Sequence, residues 1–247
     1  MGLRALDPPE TTVDRRSRQW FFNAKHQAYF GPGALLEAGY AANRTFGREI
    51  PQGRAFLCLL PEGKSGNFFL DATRRAGRDQ WLANFFLPSF TAAGTHQIKT
   101  GADANRVTYW QRAHRTGYRQ YRSDGSISRS VVYNGPGELS AGNREYSAYA
   151  QDTWRPRRRV LLELGLRGDY DRLLGLWTAS PRLGAAWAPS DRTKISGGYA
   201  LLYDATSLRL FTRPLDQYSL TTYFAPDGVV ARGPAAAVFT RGHARVK

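Results

Sequence analysis

The chain has 247 residues, with 35 Lys and Arg against 20 Asp and Glu, a formal net charge of +15 and 42% hydrophobic residues. Its mean hydropathy is −0.49, and no run approaches the roughly 18–20 apolar residues of a membrane-crossing helix, which excludes a helical membrane protein. A β-barrel is not excluded, because only alternate residues of its strands meet lipid; the single cysteine, Cys58, excludes an internal disulfide and any multi-cysteine metal site.

In chain order, residues 1–17 read as a lead-in without strand patterning. "MGLRALDPPETTVDRRSRQW" has no apolar run to serve as a secretory leader, so an envelope protein with this sequence is expected to be a piece of a longer product or a mis-started one. Strands are expected from 18 to 204. A weak one at about 18–30 is followed by a tight join at Gly31–Gly33. Then Leu36, Ala38, Tyr40 and Ala42 alternate with Glu37, Gly39 and Asn43. Further strands are expected at about 79–87, 95–111 and 144–154, the last with its apolar face undecided. Long connections are expected near 47–78 and 112–143, and "YRQYRSDGSISRSVVY" within the second reads as an extra hairpin turning at Asp124–Gly125.

The clearest strand follows the basic turn at Arg155–Arg158. Val160, Leu162, Leu164, Leu166, Gly168 and Tyr170 alternate with Leu161, Glu163, Gly165, Arg167 and Asp169, a period of two that helical spacing does not reproduce. The segment is longer than the usual strand of a soluble sheet and suits a tilted bilayer crossing. Leu183, Ala185 and Trp187 then oppose Arg182 and Gly184. Ile195, Tyr199, Leu201 and Tyr203 oppose Lys194, Ser196 and Gly198. Residues 205–247 read as a loop and a truncated C-terminal part of the same sheet.

Tight joins at Gly31–Gly33, Arg155–Arg158 and Pro189–Asp191, with a slightly longer one at Pro88–Gly94, alternate with long ones, and only the 172–178 connection departs from this. Loop length segregated by rim is the layout of an outer-membrane barrel. Trp81, Trp110, Trp177, Tyr170 and Tyr203 are expected at the long-loop ends of their strands, and Trp154 and Trp187 at the tight-turn ends, as two aromatic girdles. The fold class is therefore all-β: an antiparallel up-and-down transmembrane barrel segment of about eight strands.

Nothing in the sequence carries catalytic chemistry. "CLLPEGKSG" has Cys58 where a phosphate loop needs its first Gly. His26, His96, His114 and His243 lack metal-ligand spacing, and no nucleophile elbow occurs. No enzyme, cofactor or metal is expected. Glu163, Arg167, Asp169, Arg182 and Lys194 are the candidate lumen-facing residues, where opposite charges on neighbouring strands pair. A soluble, basic, all-β module that stacks nucleic acid or another polyanion on Tyr and Trp between arginines is the competing reading, as is a non-functional gene fragment.

"YSAYAQDTWRPRRRVLLELGLRGDYD" followed by "SPRLGAAWAPSDRTKISGGYALLYD", with "GTHQIKTGADANR" upstream, resembles the barrel of TonB-dependent outer-membrane receptors, in particular the Oar-like receptors with a carboxypeptidase-regulatory-like domain. The resemblance covers roughly 18–204. It implies a place in the outer membrane, lipid as a partner and no nucleic acid. It also implies energised uptake of a scarce ligand such as a metal chelate or a glycan. It further implies a plug domain, the remaining strands of a barrel of about 22, and a TonB complex reached through the plug. Plug, regulatory domain and TonB box are not recognisable here, so an internal fragment of the barrel is expected.

Overall fold

The computed structural model of the chain describes residues 7–203, 208 and 217–237. Among the described residues a 3-10 turn at Pro9–Thr11 precedes fifteen strands. Eight form one antiparallel wall in the order β1 (Val13–Phe30), β2 (Ala34–Pro51), β5 (Leu70–Phe86), β7 (Thr95–Arg115), β10 (Glu138–Arg157), β11 (Val160–Asp171), β12 (Leu176–Ser190) and β13 (Thr193–Ala200). Every neighbour in the wall is also the next wall strand in sequence, so the connectivity is up-and-down. The outer edges of β1 and β13 have no partner among the described residues, and the sheet is open there.

The lower rim is tight. β1 turns into β2 at Gly31–Gly33, where φ of +52° and +104° at Gly31 and Gly33 suits a residue without Cβ. β10 turns into β11 at Arg158–Arg159, and β12 into β13 at Asp191–Arg192. β5 and β7 are joined through Leu87–Gly94, whose short β6 (Phe90–Thr91) folds back on Thr95 and His96. Gly94 is pressed so close to Arg155 that a Cβ would lie 2.4 Å from its carbonyl oxygen. The turn expected at Arg155–Arg158 comes later because β10 runs on through a bulge between Trp154 and Arg157. The bulge accommodates Pro156, which has no N–H to give a ladder.

The upper rim is taller than the alternation of the sequence suggests. β1 begins at Val13 rather than after residue 17, β2 continues to Pro51, and β5 starts at Leu70, well inside the loop expected over 47–78. Likewise β7 runs to Arg115 and β10 starts at Glu138. The 172–175 connection is a short turn. The long connections fold into a second sheet ordered β15 (Val230–Ala237), β14 (Tyr218–Phe224), β9 (Ile127–Asn134), β8 (Gly117–Tyr121), β3 (Leu57–Leu59) and β4 (Lys64–Ser65). β8 and β9 form the expected hairpin, with Gly125 at φ +81°. The barrel continuation expected after residue 205 differs for 217–237: β14 pairs with β9 of this second sheet, not with the wall.

Burial in the second sheet centres on Leu57 and Val131, 1% and 4% exposed. Phe69 stacks on Tyr133 at 5.7 Å and packs against Tyr118 at 5.6 Å. Arginines lie over the rings: Arg115 over Tyr133, Arg129 over Tyr118 and Arg119 over Phe56, at 5.8, 5.7 and 5.0 Å. Burial pushes the Tyr133 hydroxyl pKa up. Gln217, just before β14, accepts from the amide of Arg115 at the end of β7 at 2.8 Å, and Arg122 reaches the Phe224 carbonyl, tying the far end of β14 to the hairpin.

Candidate functional site: a two-faced wall

Residues directly opposite in antiparallel strands share a face, so the register sorts the wall without ambiguity. Leu164 pairs with Leu183, and Leu183 with Tyr199. Leu162 pairs with Ala185, and Val160 with Trp187, which pairs with Ile195. Across β10 the same face carries Tyr146, Ala148, Ala150, Asp152 and Trp154, which settles the strand whose facing the sequence leaves open. It continues through Ile98, Ala102 and Ala104 to Ala83, Phe85, Ala38, Leu36 and Ala28. Many of its large side chains lie open, among them Leu166 at 58%, Leu183 at 52% and Trp187 at 53%. An exposed apolar surface of this extent belongs in hydrocarbon.

One register row of that face crosses six strands and is aromatic on five of them. Tyr40 opposes Trp81, Trp81 opposes Ala104, Ala104 opposes Tyr146, Tyr146 opposes Tyr170 and Tyr170 opposes Trp177. Tyr40 and Trp81 touch at 5.4 Å, and Tyr170 and Trp177 at 4.9 Å. Trp81 thus belongs to the row with Tyr170 and Trp177, yet it is not at the long-loop end of its strand, because β5 begins eleven residues earlier at Leu70. Trp110 lies six residues beyond Ala104 on β7, well past the row, with the Arg75 guanidinium 5.3 Å from its ring. Tyr203 lies beyond the end of β13. At the opposite end, Trp154 and Trp187 flank the tight turns, and His96 is stacked between Phe90 and Trp154 while bonding Asp152 at 2.6 Å.

The other face is mainly polar, with Leu35, Leu82, Phe86 and Leu161 among its apolar members. Glu37 takes Lys25 and Gln27, both at 2.6 Å. Glu49 bridges Arg15 and Arg74, both at 2.8 Å, and Arg74 donates on to Gln111 at 3.1 Å. Arg78 donates to Asn105, Asn105 to Asp103 and Tyr149 to Asn84. All five candidate charges lie here, opposite in facing to the leucines. Arg167 pairs with Asp169 at 2.8 Å and Asp103 at 3.1 Å, and donates to Ser147 at 2.7 Å. Glu163, Arg182 and Lys194 line a shallow depression of about 570 Å³ without ion-pairing one another among the described residues. The partners of Arg167 other than Asp169 escape sequence reasoning because β7, β10 and β11 come together only through the register.

Above this polar face the second sheet closes over the wall at Val13, Arg15, Glu49, Leu57, Phe68 and Arg74, which border a cavity of about 490 Å³. Beside it, Lys64 of β4 pairs with the buried Asp7 at 2.5 Å.

An open wall with one hydrocarbon face, one hydrogen-bonded polar face, tight turns on one rim and folded loops on the other is the wall of an outer-membrane β-barrel. Residues 4–236 match the family described as TonB dependent receptor-like, beta-barrel, and the chain belongs to that family, whose place is the outer membrane. That membership overturns the soluble nucleic-acid-binding alternative. Among solved structures, the outer membrane transporter YddB from Escherichia coli is similar over 84% of this chain at 18% identity, with a TM-score of 0.64. The chain spans 28% of that transporter's length. No curated protein matches the sequence.

Proposed function

We propose that the chain forms part of the wall of an energised outer-membrane transporter, with the second sheet receiving ligand on the outside and the polar face lining the path inward. The observation that carries this is the polar face itself. From β1 to β11 most of its charges are paired or hydrogen-bonded across six strands, a surface made to meet water or protein rather than lipid. Further strands continue the barrel from β1 and β13, whose open edges would otherwise leave backbone donors and acceptors unmet in hydrocarbon. A plug domain packs against the polar face around Glu163, Arg167, Asp169, Arg182 and Lys194 and couples it to the TonB complex. The residues of this chain are given no catalytic role.

The test is uptake by cells in which the gene is disrupted, using radiolabelled ferric chelates and labelled oligosaccharides as probes. Loss of one probe's accumulation, restored by the intact gene and abolished by a protonophore, is the expected result. Accumulation that needs the gene but survives the protonophore would refute energised transport.

A further inference from the structure

We propose that the outward face carries a site for the phosphate of an outer-leaflet lipid headgroup, built by Arg106, Arg144 and Arg172 just beyond the aromatic row. The proposal rests on the reading that this face meets outer-membrane lipid.

The register places the three arginines side by side. Arg106 opposes Arg144, and the Arg172 amide donates to the Arg144 carbonyl at 3.1 Å as the ladder ends. Arg106 and Arg144 lie on the same face above Ala104 and Tyr146, two residues along each strand, or about 7 Å, and Arg172, in the turn that follows β11 at Asp171, lies beside them. Aromatic rings of this kind mark the headgroup level of a bilayer. The guanidiniums therefore stand where headgroup phosphates lie, beyond the acyl chains.

Charge balance points the same way. Like charges directly opposite on neighbouring strands repel, and these three are exposed, with no hydrogen-bond or ion-pair partner for their guanidiniums among the described residues. The one carboxylate of the row, Asp79, opposes Arg106 but is taken by Arg44 at 2.5 Å and the Tyr40 hydroxyl at 2.7 Å. A depression of about 460 Å³ opens beside the three arginines, kept shallow-walled by Thr108 and Gly142 in the next row, and no carboxylate borders it. Guanidinium forks suit phosphate oxygens, which they bind two at a time. A soluble ligand travelling along the polar face would be on the wrong side of the wall to meet them.

Protein extracted from outer membranes in detergent and stripped of lipid is titrated with a bis-phosphorylated glycolipid and followed by native mass spectrometry. A guanidinium near an anionic surface contributes about fivefold, so R106Q/R144Q/R172Q should weaken binding about a hundredfold. R155Q/R157Q/R158Q, with the same charge loss at the opposite rim, should stay within twofold. Should the triple variant fail to assemble, judged by heat-modified gel mobility, R144Q alone should cost about fivefold. The dephosphorylated glycolipid should bind as weakly to the native protein as the phosphorylated one does to the triple variant. Equal binding of the two lipids, an unaffected triple variant, or binding of inorganic phosphate without the glycolipid would each overturn the proposal. Recovery of the protein in the soluble fraction before extraction would instead remove the membrane reading beneath it.

Discussion

Leu166 and Gly165 are consecutive residues with opposite duties, and substituting each in turn separates a lipid-facing wall from a soluble one. From Val160 to Tyr170 the strand advances by ten steps, about 34 Å at 3.4 Å each. Tilted by about 40°, that is about 26 Å of height, close to the apolar band of outer-membrane barrels. Leu166 then lies within about 3 Å of mid-height. Its outward neighbours Ala150 and Pro181 offer no charge, and the diagonal Asp152 is held by His96. Arginine at the midplane costs about 2–4 kcal/mol. With Asp152 within partial reach, Leu166→Arg should cost about 2–3 kcal/mol. A Cβ on Gly165 meets nothing closer than 3.7 Å, and Arg182 stands directly opposite. Gly165→Glu should therefore be neutral within about 0.5 kcal/mol or slightly stabilising, as exposed ion pairs are. The assay is urea unfolding of the protein in lipid vesicles, read by tryptophan fluorescence. A neutral Leu166→Arg beside a strongly destabilising Gly165→Glu would mean the faces are exchanged or the apolar one is not in lipid.

Gly101 lies under the Tyr149 ring, where a Cβ would come within 2.7 Å of both the Ala83 carbonyl and the ring; Gly101→Ala should cost about 1–3 kcal/mol by overpacking and free the Tyr149 hydroxyl from Asn84, seen as a shifted tyrosine ultraviolet resonance Raman band. Arg167→Met leaves Asp103 and Asp169 facing each other across the strands and should cost about 1–2 kcal/mol, most of it recovered in a double-mutant cycle with Asp103→Asn. In the β8–β9 hairpin, the Ser126 hydroxyl and amide bonded to Asp124 hold its carboxyl below the usual range. A depressed folded pKa contributes stability above the ordinary carboxylate value and loses it as pH falls through the lowered one. Hydrogen-exchange protection of the Ser126 amide should therefore fall across that acid window, and Asp124→Ala should abolish the pH dependence; a dependence that survives would refute the role of this carboxylate.

The sequence reveals the wall best where its two faces differ most in chemistry. In β11 to β13, leucines alternate with charges and the strand ends coincide with aromatic residues, so facing and turns are both readable. β2, β5, β7 and β10 outrun their alternation because their upper ends rise beyond the aromatic row, where both faces are polar. There Arg44 and Arg48 bond Asp79, Thr73 and Asp71 on one face, and Arg74 and Arg78 bond Glu49, Gln111 and Asn105 on the other, without any hydrophobic period to announce it. β10 is ambiguous for a related reason: Tyr146 faces outward, Tyr149 inward, and Asp152 sits among apolar neighbours with His96 of the adjacent strand hydrogen-bonded to it. The second sheet is hardest to read. β3 and β4 are three and two residues long, and β3 pairs in parallel with β8 some sixty residues on. Such pairings depend on the closed fold, which local pattern does not encode. The charged residues of the polar face are legible as a class, whereas their partners follow only from register.

The alternation itself can be read directly in the membrane. Single cysteines are placed in turn at Leu162, Glu163, Leu164, Gly165, Leu166 and Arg167 of a Cys58→Ser background, and each is labelled with a small fluorophore in brominated-lipid vesicles. Positions 162, 164 and 166 should be strongly quenched by the bromolipid and inert to a charged maleimide added from water. Positions 163, 165 and 167 should show the reverse, giving a period of two along β11. Equal quenching and equal reactivity at all six positions would contradict a wall with lipid on one face and an aqueous or protein-filled lumen on the other.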